Sequence, residues 1–186
     1  MKRLFDLIVA VALLVFFLIP MIIIFILIKL TPEGTPIYWS DRLGQKNRIF
    51  KMPKFRSMRV DTPVIATHMM TDPSAFLFPV GAFLRRYSLD ELPQLFSILK
   101  GDMSLVGPRP ALFNQEDLIM LRTEKGVDKL VPGVTGWAQV NGRDELSIDQ
   151  KVDLDMEYLN CQSFWFDLKI LWMTFLKVIR SDDVSH

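Results

Sequence analysis

The 186-residue chain carries 22 lysines and arginines against 21 aspartates and glutamates, a formal net charge of +1. That balance gives no broad electropositive footprint for nucleic acid, so no nucleic-acid partner is expected, although local basic clusters can still hold single phosphates. One cysteine, Cys161, excludes an intramolecular disulfide and a multi-cysteine zinc site, and it reads as a small packing residue.

The first element is apolar. Between Asp6 and Lys29 no residue is charged, and a continuous helix over 7–28 would reach roughly 33 Å, enough to cross a bilayer. The run is longer than the apolar core of a cleavable signal, and residues 21–30 contain no alanine, glycine or serine to form a cleavage site. Pro20, near its middle, deletes one backbone hydrogen bond and crowds the carbonyl four residues earlier, so a bend is expected there. Lys2 and Arg3 precede the run and Lys29 closes it. With basic residues at both ends, a re-entrant hairpin is favoured over a full crossing.

Residues 31–36, with two prolines and a glycine, read as a linker between a membrane segment, 1–30, and a catalytic domain, 31–186. Two strands, 37–42 and 48–52, form a hairpin around the turn 44–47. Residues 61–79 carry three prolines and no sustained period, which predicts a long loop able to close over a ligand. Asn114 and Asp117 open a helix that Gly126 ends, and Ser147 with Gln150 matches a capping box for a helix running to about Asn160. From Phe164 to Arg180, Lys169, Lys177 and Arg180 share a side, and Trp165 and Trp172 favour an interfacial amphipathic helix. The fold class is therefore α+β, mainly helical, with one small antiparallel hairpin.

The most informative stretch is 88–110. Ser88 and Glu91 match a capping box, which would put Asp90 and Glu91 in a first helical turn and keep both ionised; Pro93 allows a start nearer Leu92 instead. Taken alone, such an acid pair is ordinary capping charge. Pro108-Arg109-Pro110 holds an arginine between two fixed backbone angles, suited to clamping a phosphate.

That stretch, with Lys54-Phe55-Arg56-Ser57-Met58 upstream and residues 132–143, Pro-Gly-Val-Thr-Gly-Trp-Ala-Gln-Val-Asn-Gly-Arg, downstream, resembles the bacterial sugar transferases, and among them the small monotopic phosphoglycosyl transferases. The resemblance implies transfer of a sugar phosphate from a UDP-sugar to polyprenyl (undecaprenyl) phosphate with release of UMP, the priming step of glycan assembly. Asp90 would be the nucleophile and Glu91 its partner in holding Mg2+, an ion needing only one or two carboxylates beside substrate phosphates. Lys54, Arg85 and Arg109 match basic positions that serve phosphate. Arg143 is a candidate for nucleotide or phosphate, while Asp155 and Asp167 match acidic positions whose alternative role is to position helices through salt bridges. Arg56 and Arg86 are weaker candidates that suit lipid headgroups.

The family's membrane segment breaks at Ser-Pro; here Ile19-Pro20 stands in that place, so the re-entrant form carries over without its serine. The implied location is the cytoplasmic face of the bacterial inner membrane, in contact with membrane lipids. Donor sugar and oligomeric state stay open, a homo-oligomer included. A non-catalytic nucleotide-sugar sensor and a hydrolase resolving the same acyl phosphate with water are the competing functions.

Overall fold

A computed structural model describes residues 1–32, 35–64, 72–142 and 145–180. Helices α1 (Lys2–Phe16) and α2 (Leu18–Lys29) meet at Phe17 with a 61° bend. The bend falls three residues ahead of the expected Pro20, for a steric reason. Pro20 has no N–H to offer the Phe16 carbonyl and crowds it, so the chain turns at Phe17 and the proline lands in the first turn of α2, where its missing donor costs least. Among the described residues no single helix is long and apolar enough to cross a membrane, whereas the bent pair together meets that length and composition.

The start of α1 is tied into the rest of the protein. Lys2 Nζ donates to Asp167 Oδ2 at 2.6 Å and to the Val106 carbonyl at 3.0 Å, and Arg3 Nη1 donates to the Ile98 carbonyl at 2.7 Å. Asp6 is buried and accepts from Ser104 Oγ at 2.8 Å.

Strands β1 (Ile37–Leu43) and β2 (Ile49–Phe55) pair antiparallel, with Tyr38 opposite Lys54 and Arg42 opposite Phe50. Both strands run past the expected ends; β2 continues through Pro53, which is tolerated in a sheet whose two strands are both edges. Period-2 alternation sends Phe50 and Met52 into the main core with Leu95, Ile98, Met103 and Ile170. Phe55 joins a second cluster with Ile24, Ile28, Phe78 and Leu84, which seats α2 against the domain.

Helix α3 (Pro79–Arg86) lies against the chain leaving β2; a Cβ on Gly81 would sit 1.9 Å from the Ser57 carbonyl oxygen. Of the predicted loop 61–79, residues 65–71 lie outside the described ones, and Met58 bridges Leu77 near its end. Helix α4 (Gln94–Lys100) leads to β3 (Ser104–Val106), which pairs in parallel with β4 (Gly133–Thr135). Strands of three residues are too short to show a period, so this sheet was invisible in the sequence.

Helices α5 (Glu116–Glu124), α6 (Trp137–Val140), α7 (Ile148–Cys161) and α8 (Phe164–Arg180) complete the fold. Both halves of the Ser147–Gln150 capping box form, and Gly126 takes the left-handed conformation beyond α5. Cys161, expected inside, is exposed, because it ends α7 at the turn into α8. Helix α8 buries Ile170 and leaves Trp165, Trp172 and Phe175 exposed.

Candidate active site

The expected capping box at Ser88 does not form. Ser88 has φ 53 and makes no side-chain cap; Leu89–Glu91 is a 3-10 turn, and α4 begins only at Gln94 behind Pro93. A proline cannot sit inside a regular helix started at Ser88, so the chain inserts the tighter turn first. The acid pair is therefore governed by side-chain neighbours and burial rather than by a full helix start.

Those neighbours treat the two carboxylates differently. Glu91 Oε1 accepts from Lys54 Nζ at 2.9 Å and from Arg109 Nη2 at 3.1 Å. Asp90 is only 7% exposed and, among the described residues, is in no ion pair. Burial pushes its carboxyl up to about 6; Lys54 opposes this, Glu91 adds to it, and Arg85 and Arg109 oppose it more weakly. Ionisation, expected from a helix dipole, thus begins later but still precedes neutral pH. Lys54 is lowered from its ordinary value by burial, although the Glu91 charge favours its protonated form.

Each partner is aimed by the fold. Lys54 stands on β2 opposite Tyr38, and Arg85 in the last turn of α3 donates to Met58 Sδ at 3.0 Å. Arg109 leaves β3 through Gly107, whose added Cβ would meet the Val131 carbonyl at 2.3 Å. Gly107 N–H donates to the Thr135 carbonyl and Gly133 N–H to the Pro108 carbonyl, both at 2.9 Å, so the Pro-Arg-Pro loop hangs from β4.

Two cavities meet at the acid pair. The first, about 200 Å³, is lined by Arg42, Lys54, Arg56, Arg59, Arg85 and Asp90 among others. The second, about 380 Å³, is lined mainly by apolar side chains from the α1–α2 bend (Leu13, Phe17), α4, β4, α6 and α8, with Glu91 and Arg109 in its wall. A cationic chamber suits a phosphate-rich ligand, and an apolar groove suits a hydrocarbon chain ending in an anion.

Arg42 was missed by sequence reading. Its guanidinium donates through Nε to Ser40 Oγ at 3.0 Å and through Nη1 to the Pro110 carbonyl at 3.2 Å, and it is in no salt bridge among the described residues. Burial, then the Arg109 charge, lowers it to about 10. The available signal was alternation along β1, which turns Tyr38, Ser40 and Arg42 to one face, and all three line the cationic cavity.

The structure brings Lys54, Arg85, Asp90, Glu91 and Arg109 together, but not the two remaining acids. Asp155 pairs with Arg122 Nη2 at 2.6 Å, and Arg122 Nη1 donates to the Arg109 carbonyl at 2.8 Å. Asp167 accepts from Tyr158 Oη at 2.7 Å as well as from Lys2. Arg143 lies outside the described residues. Pro20 sits in the first turn of α2, far from the acid pair in sequence. For a divalent cation, no group of three or more histidine, cysteine or acidic ligands exists among the described residues. Asp90 and Glu91 are a donor set that fits a hard ion shared with substrate phosphates.

Comparison with known proteins places the chain in a family. The family model described as "Bacterial sugar transferase" matches residues 1–181. The chain is 40% identical over 189 residues to the uncharacterized sugar transferase EpsL of Bacillus subtilis, covering 100% of this chain and 91% of that protein. It is 38% identical to an undecaprenyl-phosphate glucose phosphotransferase of Komagataeibacter xylinus, covering 97% of this chain and 36% of the relative. A UDP-glucose:undecaprenyl-phosphate glucose-1-phosphate transferase of Escherichia coli is 37% identical, with 95% and 40% covered. The chain thus spans well under half the length of these last two relatives.

Proposed function

We propose that this chain, which belongs to the bacterial sugar transferase family, transfers a sugar 1-phosphate from a UDP-sugar to a polyprenyl phosphate and releases UMP. The observation that carries the reading is the acid pair standing between a cationic cavity and an apolar one. The relatives named for undecaprenyl phosphate and UDP-glucose supply the substrate classes.

In the proposed reaction the donor diphosphate occupies the cationic cavity, where Arg42, Lys54 and Arg85 offset its charge. An Asp90 oxygen attacks the sugar-bearing phosphorus; the new P–O bond forms as the bond to UMP breaks, and UMP departs with the electron pair. A phosphate oxygen of the lipid acceptor, entering from the apolar cavity, then attacks the same phosphorus. The acyl phosphate bond breaks, the sugar diphosphate lipid leaves and the Asp90 carboxylate is restored. Arg109 and Glu91, joined to one another, hold the acceptor side. Asp90 and Glu91, adjacent where the two cavities adjoin, would hold Mg2+, which would supply charge neutralisation for the departing nucleotide.

The reading includes a monotopic, re-entrant anchorage through α1 and α2 on the cytoplasmic face of the bacterial inner membrane, with the exposed aromatics of α8 against lipid headgroups. The priming role in glycan assembly follows from the same substrates.

The test uses the full chain in nanodiscs with undecaprenyl phosphate, Mg2+ and a panel of UDP-sugars, N-acetylated ones included. One donor should give UMP and a polyprenyl diphosphate sugar. With that donor and no acceptor, intact mass should reveal a sugar phosphate adduct that Asp90→Asn lacks. Continuous UMP release without lipid would identify a hydrolase instead, and no UMP from any donor would reject the reading.

A further inference from the structure

Gln139, on the short helix α6, is the one side chain among the described residues whose amide nitrogen and oxygen are both sealed from solvent without a hydrogen-bond partner. A primary amide carries two N–H donors and an acceptor, and burying them unpaired destabilises the fold. The helix's other polar groups are used: Trp137 Nε1 donates to Glu157 Oε2 at 2.8 Å, and Asn141 Nδ2 donates to the Trp137 carbonyl at 2.7 Å. Leucine would match the surroundings of Gln139 better, since Leu95, Leu105, Val134, Val140 and Leu171 line the same cavity. That cavity is the apolar one, and Glu91 and Arg109 stand in its wall.

We infer that the Gln139 amide binds the phosphate end of the polyprenyl phosphate acceptor, its Nε2–H donating to a phosphate oxygen beside Arg109. The inference rests on the proposed assignment of the apolar cavity to the acceptor. Gln139 does not line the cationic cavity, where the donor diphosphate has its own arginines and lysine. The side chain forms part of the wall, and a rotamer change about its three torsions presents the amide to an occupant. A neutral donor suits this place for two reasons. It is less costly than a further cation beside Arg86, Arg109 and Lys177 to desolvate among leucines and valines. It also leaves the attacking phosphate oxygen more nucleophilic than a full positive charge would.

The test compares wild type with Gln139→Leu and with Gln139→Met, which keeps the length and flexibility, in nanodiscs containing undecaprenyl phosphate. The acceptor KM should rise about tenfold, the size of one lost hydrogen bond to a charged group. Donor KM and the rate of adduct formation without acceptor should stay at wild-type values, and the melting temperature should hold or rise. An unchanged acceptor KM in folded variants overturns the inference alone, because wild-type turnover still upholds the substrate assignment. A melting temperature lowered in both variants overturns it too, by giving the amide a structural role. Wild-type protein that makes no polyprenyl-linked product overturns both the inference and the reading beneath it.

Discussion

Asp90 and Glu91 are chain neighbours whose side chains open onto different cavities, the first cationic and the second apolar. The 3-10 turn at Leu89–Glu91 allows this, since successive side chains in so tight a turn diverge by about a third of a revolution. In the proposed reaction Asp90 would thereby attack from the cationic cavity, with Glu91 beside it where that cavity adjoins the apolar one.

The raised Asp90 carboxyl makes two pH predictions. Attack requires the carboxylate, so kcat/KM for the donor should climb as pH rises through about 6. Stability should run the other way. Because the folded state holds the proton more tightly than the unfolded chain, the Asp90 contribution is fully present below pH 3.8 and is lost as pH rises through about 6. Asp90→Asn removes that loss, roughly 3 kcal/mol at neutral pH, so it should be inactive yet melt several degrees higher at pH 7, with the gap closing towards pH 4. Identical melting curves for the two proteins across this range would count against the buried acid.

Asp155 should act on the reaction through Arg122. Asp155→Ala leaves a buried guanidinium unpaired and should cost about 3–5 kcal/mol of stability. The double variant Arg122→Met with Asp155→Leu should recover most of that stability. Its turnover should remain about tenfold low, because the Arg109 carbonyl has lost its donor. Full turnover by Arg122→Met alone, coupled with loss in Asp155→Asn, would instead point to direct substrate contact by Asp155.

Arg42→Met should raise the donor KM about 10- to 100-fold, the range for losing a hydrogen bond between charged groups, and should weaken UMP inhibition in parallel. Acceptor KM should not move. Arg42→Lys should recover part of the loss, as a point charge without the guanidinium fork. Product-inhibition and initial-rate assays on the three proteins decide the matter.

For topology, a Cys161→Ser background should carry one cysteine in a short extension ahead of Met1 or one at Leu30, which is exposed. Both should resist an impermeant thiol reagent in intact cells and react after lysis. Pro20→Leu restores the donor missing near the bend and should shift the protein towards a straight crossing, with labelling at the first position only. Such labelling in the unsubstituted protein would reject the re-entrant form.

Much of this arrangement was legible in the sequence because it rests on local chemistry. The hairpin announced itself by two strand candidates around the turn 44–47, α7 by its capping box, and the bend by Pro20 to within a turn. The 3-10 turn was hidden because Ser88 and Glu91 have the spacing of a capping box, and nothing local reveals that Ser88 adopts a left-handed conformation. The β3–β4 pair and the Arg122–Asp155 link are contacts between distant segments, which no window of sequence contains. Arg42 was readable in principle, but it requires knowing that the hairpin face at 38, 40 and 42 borders the acid pair.

The contact between Lys2 and Asp167 joins residues 165 positions apart, which sets the order in which the protein can be completed. During translation at about 5–20 residues per second, the start of α1 waits on the order of 10–30 s for its carboxylate. Partners at Ile98 and Ser104 emerge sooner, so docking proceeds in stages and closes only when α8 has begun to leave the ribosome. The apolar helix pair must therefore be kept from water before the residues that later grip it exist. A nascent chain arrested ahead of Asp167 would carry the apolar helix pair without the carboxylate that fixes its first turn.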